Sequence, residues 1–495
     1  MVWSNQKKTA QKQIRTAQSR RAIRLWAVLF WLLVWEIGSI AIGSRILLVS
    51  PIQAALRLFE LLPERDFWSA ILFSFSRIAG GFFLASAAGV LLAAFAARFR
   101  RVEELLAPLM LAAKTIPVAS FIILALIWFS SRTLSILISF IMVLPIIYTN
   151  VRSGIQAVDS NLLEMAELFR IPFFRRVRYI ELPQVLPYFQ AACAVSLGLC
   201  WKSGIAAEVI GMPEGSIGER LQQAKVYLDT PDLFAWTFVI VVLSLGFEKL
   251  MLFLLEKLRT ALKRDGMRMQ HESLPEAKQK KEKLTESTAA VQCKNESAAG
   301  DRRGTQSSIR IRALSKSYQG ICVLDALNLE IKKESMTAIM APSGAGKTTL
   351  LRILMGFEEP DSGEITGLSG CRLSAVFQED RLCQDLTAPL NIRLVNPQHG
   401  AAEVESAMEA VGLQHCASKQ VQEFSGGMRR RTAILRALLA EYDVLLMDEP
   451  FQGLDETTKE AVIRDTRQRV KGKTVILVTH AAEEAHALGA EIIKL

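Results

Sequence analysis

Six apolar runs, near residues 22–43, 78–97, 111–130, 133–151, 186–209 and 233–255, punctuate the first half of the chain. Each approaches the roughly 20 residues that carry an α-helix across a bilayer core, so the pattern predicts six transmembrane helices. The stretch AALRLFELLPE at 54–64 repeats its apolar positions with helical period, which predicts an amphipathic helix lying in the interface. From 266 to 307 large apolar residues nearly vanish; KQKKEKLTES, then Ser, Ala, Asn and Gly, leave too little surface to bury, and the stretch reads as a flexible polar linker. Beyond it the period changes. Residues 308–318 alternate, while 336–340 and 444–448 are short apolar runs, as in the strands of a soluble α/β domain. Three regions are expected: a membrane domain at 1–265, the linker at 266–307 and a soluble domain at 308–495.

Charge orients this pattern. Basic residues cluster beside the apolar runs, in Lys7, Lys8, Lys12, Arg15, Arg20, Arg21 and Arg24, in Arg98, Arg100 and Arg101, in Arg175, Arg176 and Arg178, and in Lys257, Arg259, Lys263 and Arg264. With the N-terminus inside, six crossings put every cluster on the cytoplasmic side. The formal net charge of +10 is thereby assigned to an anionic leaflet of the lipid bilayer, and no nucleic-acid partner is expected. Seven cysteines, with no C-x-x-C pair and no histidines at zinc spacing, support neither a disulfide framework nor a metal site of that kind. Ionisable residues inside spans are functional candidates, which singles out Glu36, Lys202 and Glu208. Lys202 could lie beside the path of an anionic solute, pair with a carboxylate of another helix, or face a wet cavity between subunits. Glu208 is not at a same-face spacing from it. Lys114, near the end of the third run, is expected to snorkel.

The soluble half carries recognisable chemistry. Met336 to Met340 runs into APSGAGKTT and then the helical TLLRILMG, the strand, small-residue loop and helix start of a P-loop. Ser343, Gly344, Gly346, Lys347, Thr348 and Thr349 form the expected nucleotide-binding set: loop N–H groups turn on phosphates, Lys347 reaches the β and γ phosphates, and Thr348 holds Mg²⁺. Ala341 stands where the pattern has its first glycine. VLLMDE at 444–449 is a buried strand ending in two carboxylates. Asp448 is expected to hold Mg²⁺ and Glu449 to orient and deprotonate the attacking water.

Other motifs carry a family resemblance. FSGGM at 424–428 resembles the LSGGQ signature of the ATP-binding cassette (ABC) superfamily, in which the Ser-Gly-Gly core, here Ser425, Gly426 and Gly427, grips the γ-phosphate held by another subunit. The resemblance implies further roles for Gln378 as the Q-loop residue that senses Mg²⁺, for Asp455 in the D-loop GLD, for His480 as the switch histidine, and for Tyr318 as the aromatic stacked on adenine. EMAELFRIPFFRRVRYIELP at 164–183, between the fourth and fifth runs, resembles the EAA loop of binding-protein-dependent importers, with Glu164, Ala166, Ile180, Leu182 and Pro183 in register. Met165 and Arg170 depart from that pattern. LP at 182–183, LPY at 186–188, AEVIG at 207–211 and FAW at 234–236 resemble the nitrate, sulfonate and taurine permease group.

The implied fold is an all-α polytopic membrane domain fused to an α/β P-loop ABC-type ATPase domain, with a helical subdomain near 380–440 and a trimmed antiparallel β region. The implied function is ATP-driven import of a small anionic solute across the cytoplasmic membrane. A second copy of the chain and an extracytoplasmic solute-binding protein are the implied partners. An ABC exporter and a membrane-anchored ATP sensor without transport are the alternative readings.

Overall fold

The computed structural model describes residues 25–44, 47–268, 308–342 and 344–494. Of the linker expected at 266–307, residues 266–268 are helical, and 269–307 lie outside the described residues, as do the N-terminal basic cluster and Ser343. The chain splits into two compact units, Met1–Ser153 with Tyr188–Leu254, and Gly154–Pro187 with Leu255–Leu495. The segment between two membrane runs therefore packs as part of the unit that holds the soluble half.

The first unit is helical. In chain order it holds α1 (Leu25–Ile42), α2 (Pro51–Leu61), α3 (Arg65–Arg98), α4 (Arg100–Thr115), α5 (Val118–Ala125), α6 (Ser131–Gln156), most of α8 (Phe173–Gly211), α9 (Ile217–Val226) and the start of α10 (Thr230–Arg268). Among the described residues α3, α6, α8 and α10 are long and apolar enough to cross a membrane. The third predicted span is not one helix: α4 and α5 meet at 104°. Ile116 precedes Pro117, whose ring pushes it out of the helical region to ψ 126°, and the α4 ladder ends there. The six expected crossings thus become four long helices, a fifth if the bent pair crosses as one, and the shorter apolar Trp26–Ile42. Lys114 is exposed and donates to Thr149 Oγ1 at 2.9 Å. The predicted interfacial helix is α2, capped by Ser50 and leaving Ile52, Leu56 and Phe59 exposed. Phe75, Phe82, Trp201 and Phe247 make an aromatic core joining α3, α8 and α10.

The second unit begins with α7 (Ser160–Leu168) and the first turns of α8, which include a π-helical turn at Val177–Glu181. After the linker come β1 (Ile309–Tyr318), β2 (Ile321–Ile331), β3 (Met336–Met340), α11 (Lys347–Leu354), β4 (Ser362–Thr366) and β5 (Leu373–Val376). Then follow α12 (Ala388–Val395), α13 (Ala401–Ala410), α14 (Gly426–Leu438), β6 (Val444–Asp448), α15 (Glu456–Arg469), β7 (Thr474–Val478), α16 (Ala482–Leu488) and β8 (Glu491–Lys494). Strands β5-β6-β7-β3-β8 form a parallel sheet, and β2-β1-β4 a small antiparallel one. Strands β6 and β7 are buried throughout, which is why VLLMD and TVILV read as continuous apolar runs rather than alternating ones. Helices α12, α13 and α14 occupy the expected helical region. The sheet core also takes in Leu162, Met165, Ala166, Leu168, Ile171, Tyr179 and Ile180 from the inter-span segment, beside Ile353, Phe377 and Leu390.

Candidate functional site

The parallel sheet brings the motif residues together at the C-terminal ends of neighbouring strands, where open α/β sheets bind ligands. Strand β3 delivers the P-loop, β6 delivers Asp448 and Glu449, β7 delivers Thr479 and His480, and β5 delivers Phe377 and Gln378. Gly346 takes φ 79° at the start of α11, and a β-carbon there would fall 2.8 Å from the Val323 carbonyl oxygen, so both backbone and space demand glycine. Ala341 has no positive φ, and its methyl imposes no comparable strain. Lys347 is buried, and its Nζ donates to the carbonyls of Ala341 at 2.6 Å and Pro342 at 2.9 Å.

Thr348 Oγ1 donates to Asp448 Oδ2 at 3.2 Å. Burial pushes the Asp448 carboxyl up from its ordinary value, opposed by that hydroxyl. A cavity of about 180 Å³ is lined by Thr348, Gln378 and Asp448 together with Asn161, Arg352 and Arg381. Hydroxyl, carboxylate and side-chain amide make an all-oxygen donor set, which fits a Mg²⁺ ion that also keeps phosphate oxygens and waters.

Glu449 follows β6 in a left-handed conformation, φ 43°, with its N–H donating to Val478 O at 2.8 Å and its carboxylate 2.8 Å from His480 Nε2. A non-glycine residue there stores strain on the order of 1–3 kcal/mol. What holds it is Arg430. From α14 its buried guanidinium donates to the carbonyls of Asp448 at 2.8 Å, Glu449 at 2.7 Å and Pro450 at 2.8 Å, and to those of Phe377 at 2.5 Å and Gln378 at 3.2 Å. In the sequence Arg430 is one of three consecutive arginines and reads as a solvated helix face; no local pattern separates it from its neighbours.

The signature and D-loop residues lie apart from that cavity, whose lining includes none of Ser425, Gly426, Gly427 or Asp455. Ser425 and Gly426 are exposed at the N-terminus of α14, with Ser425 Oγ accepting from Met428 N at 3.3 Å. The two departures from the signature are core residues: Phe424 is buried and Met428 packs against the same cluster. Asp455 caps α15, accepting from Thr458 N at 3.1 Å and Thr457 Oγ1 at 2.9 Å, and these hydrogen bonds pull its carboxyl down to about 2. Tyr318 ends β1 exposed, its hydroxyl bonded to the Glu358 carboxylate.

The inter-span segment reaches this site directly. Helix α7 is capped by Asp159 and repeats Leu162, Met165 and Ala166 on its buried face. Its chain then reverses at Arg170, which takes φ 50°, with Ile171 N donating to Ala166 O at 2.9 Å. Arginine thus occupies the conformation that glycine would take, and the turn survives. On the other face Glu164 pairs with Arg352 of α11 at 3.1 Å and with Arg381 at 2.7 Å. Burial pushes the Glu164 carboxyl up, but the hydrogen bonds and charges of the two arginines outweigh it and hold it below the usual carboxylate range. Ala166 and Ile180 are buried, Leu182 is half-buried, and Pro183 lines an adjoining cavity of about 420 Å³ with Asp159, Asn161 and Arg381. Neither Arg352 nor Arg381 was singled out by sequence; the one available signal is a lone charge in the apolar TLLRILMG.

In the first unit, Glu208 is fully buried, accepting from Ser74 Oγ at 2.6 Å and from the Gly218 N–H at 3.4 Å. It ties α8 to α3 and to the start of α9, while Lys202 is exposed. Glu36 has a buried carboxylate oxygen without a partner among the described residues.

Comparison with known proteins places this geometry. The family model described as ABC transporter matches residues 324–452, and that described as binding-protein-dependent transport system inner membrane component matches 87–262. The chain is similar to the taurine import ATP-binding protein of Roseobacter denitrificans, 37% identical over 185 residues, 34% of this chain and 69% of that protein. It is 38% identical over 195 residues to an aliphatic sulfonates import ATP-binding protein of Pseudomonas fluorescens, 38% of this chain and 74% of that protein. The spermidine/putrescine import ATP-binding protein of Spiroplasma citri is 37% identical over 202 residues, 37% of this chain, and the chain spans only 58% of its length. Among solved structures, the dimeric structure of a bacterial ABC transporter cassette is 30% identical, with a TM-score of 0.34, covering 38% of this chain and 94% of that one.

Proposed function

We propose a function from one premise: this chain belongs to the ABC transporter family, and it joins in one polypeptide a segment matching the permease of binding-protein-dependent systems and an ATP-binding cassette. It is an ATP-driven importer of a small solute across the cytoplasmic membrane. The observation that carries this reading is the seating of Glu164, from a segment between two membrane helices, on Arg352 and Arg381 beside the P-loop. Work done at phosphates has a direct mechanical path to the spans.

Because Gly154–Pro187 packs with the cassette, both lie on one side of the membrane, where ATP is available. Two helices, α8 and α10, separate them in the chain, which is the parity that requires. Six crossings in all, with the N-terminus inside, extend the same topology.

The P-loop N–H groups and Lys347 bind the phosphates, and Tyr318 faces the adenine. Mg²⁺ held by Thr348, Gln378 and Asp448 would neutralise charge building on the phosphate oxygens. Glu449 takes the proton of the attacking water, and His480 holds that carboxylate while reaching the γ-phosphate. Ser425, Gly426, Gly427 and Asp455 complete the site of a second copy of this chain, which accounts for the exposure of Ser425, Gly426 and Asp455 outside the cavity lined by Thr348 and Asp448. ATP favours the closed pair of cassettes, and closure draws the two Glu164 segments together.

A solute-binding protein outside the membrane would deliver the cargo. Relatives named for taurine and sulfonates support an anionic one, and Lys202 is exposed in α8 to meet it. The test is uptake by vesicles holding the purified chain, with taurine and putrescine offered through their binding proteins. Full ATP turnover by Glu449→Gln would remove the assigned base. Solute efflux without any binding protein would favour an exporter, and ATPase activity with no movement of either solute class a sensor.

A further inference from the structure

Arg352 does more than receive Glu164. Its Nη1 and Nη2 donate to the two Glu164 oxygens at 3.3 Å and 3.1 Å, while its Nε donates to Glu358 Oε1 at 2.5 Å. The other Glu358 oxygen accepts the Tyr318 hydroxyl. Four side chains thus form one line from the inter-span helix to the end of β1. A guanidinium is planar and rigid, so turning it to follow Glu164 also moves the donor that holds Glu358.

The chain around Glu358 is built to hold it there. Gly356 closes α11 in a left-handed conformation at φ 78°, and Phe357 N donates to Arg352 O at 3.0 Å. Asp361 pins the far end, accepting from Ser317 N at 2.7 Å and Lys316 Nζ at 3.0 Å. Glu358 therefore has its backbone fixed at both sides, and its carboxylate is shared between an arginine and a tyrosine. Side-chain exposures of 27%, 30% and 22% for Glu164, Arg352 and Glu358 leave the line partly shielded from screening. Breaking one link leaves its neighbour with an underused charge, which makes the links mutually dependent.

We propose that Glu358 is a positioning residue that makes the seating of Glu164 and the binding of the nucleoside end at Tyr318 interdependent. This rests on the reading of Tyr318 as the adenine-facing residue. The second arginine, Arg381, stacks on Phe377 next to Gln378, the residue read as facing the γ-phosphate side, and makes no hydrogen bond to Glu358 among the described residues, so ADP, which lacks that phosphate, is the nucleotide chosen to follow the Glu358 route.

The test measures ADP affinity calorimetrically on the full chain in lipid nanodiscs. In the otherwise unaltered chain Glu164→Gln changes the ADP Kd by at least about fivefold, the lower range of coupling between linked sites. In a Tyr318→Phe or Glu358→Gln background the same substitution changes it no further. Tyr318→Phe keeps the ring and removes only the hydroxyl, so it tests the link even if Glu358→Gln disturbs the fold. An unchanged ADP Kd on Glu164→Gln, or effects that multiply independently in the double variants, overturns the proposal. Absence of ADP binding by the parent chain would overturn the nucleotide-site reading itself, and this inference with it.

Discussion

Gly218 backs onto Glu208 so closely that a β-carbon on the glycine would fall 2.3 Å from the glutamate's own β-carbon. The Gly218 N–H and the Ser74 hydroxyl both point at the same buried carboxylate oxygen. Gly218→Ala should therefore force α9 away from α8 at a cost of about 1–3 kcal/mol. The expected result is a lower unfolding midpoint for the membrane unit and impaired transport, with ATP affinity intact. Normal uptake by the alanine variant would show that this contact does not hold the spans in register.

Arg430 predicts a different loss. Arg430→Met leaves the carbonyls of Asp448, Glu449 and Pro450 without their donor in a buried site, which should destabilise the cassette by about 3 kcal/mol or more and slow hydrolysis. Arg429→Met, a half-exposed neighbour, should change the denaturation midpoint little. Equal midpoints for the two variants would refute the clamp.

At the inter-span turn, Arg170→Gly relieves a left-handed arginine but forfeits the bond from Arg170 Nη2 to Cys371 O at 3.3 Å. The two effects are each about 1 kcal/mol and opposed, so chemical denaturation should find the variant within about 1 kcal/mol of the parent. Arg170→Val, with a branched side chain at the same φ, should lose about 2 kcal/mol or more. If valine were tolerated as well as glycine, the turn would not be a constraint.

The Glu164 joint also has a pH signature. A carboxyl held below its ordinary value in the folded state stabilises the fold above that ordinary value, and the benefit is lost as pH falls through the depressed one. Amide protection across 154–187 should hold from neutral pH down to the usual carboxylate range and weaken only below it. Glu164→Gln should flatten that acid limb of the exchange profile. Loss of protection near neutrality would point to a group other than Glu164.

Much of the candidate nucleotide site was legible because its motifs are local. Lys347, Thr348, Asp448 and Glu449 follow the apolar runs at 336–340 and 444–448, which period alone locates, whereas His480 was reached only through the family resemblance. The broken third span was also written in Ile116-Pro117, but hydropathy averages over a proline and counts one run. Glu358 and Arg430 could not be found this way, since nothing adjacent in sequence distinguishes them from other charged residues on solvated faces.

By itself, then, the order of residues determined which segments are apolar enough to be candidate spans, where the strands at 309–318, 336–340 and 444–448 lie, and which small-residue loop is a candidate phosphate cradle, because these follow from short-range periodicity and sterics. Only the tertiary structure decided that Glu164 belongs to Arg352 and Arg381, that Glu208 is buried against Ser74 and Gly218, and that one arginine of three holds the strand end carrying Asp448 and Glu449. Those outcomes depend on which distant groups share a desolvated space, and partner choice across the fold leaves no trace in local spacing.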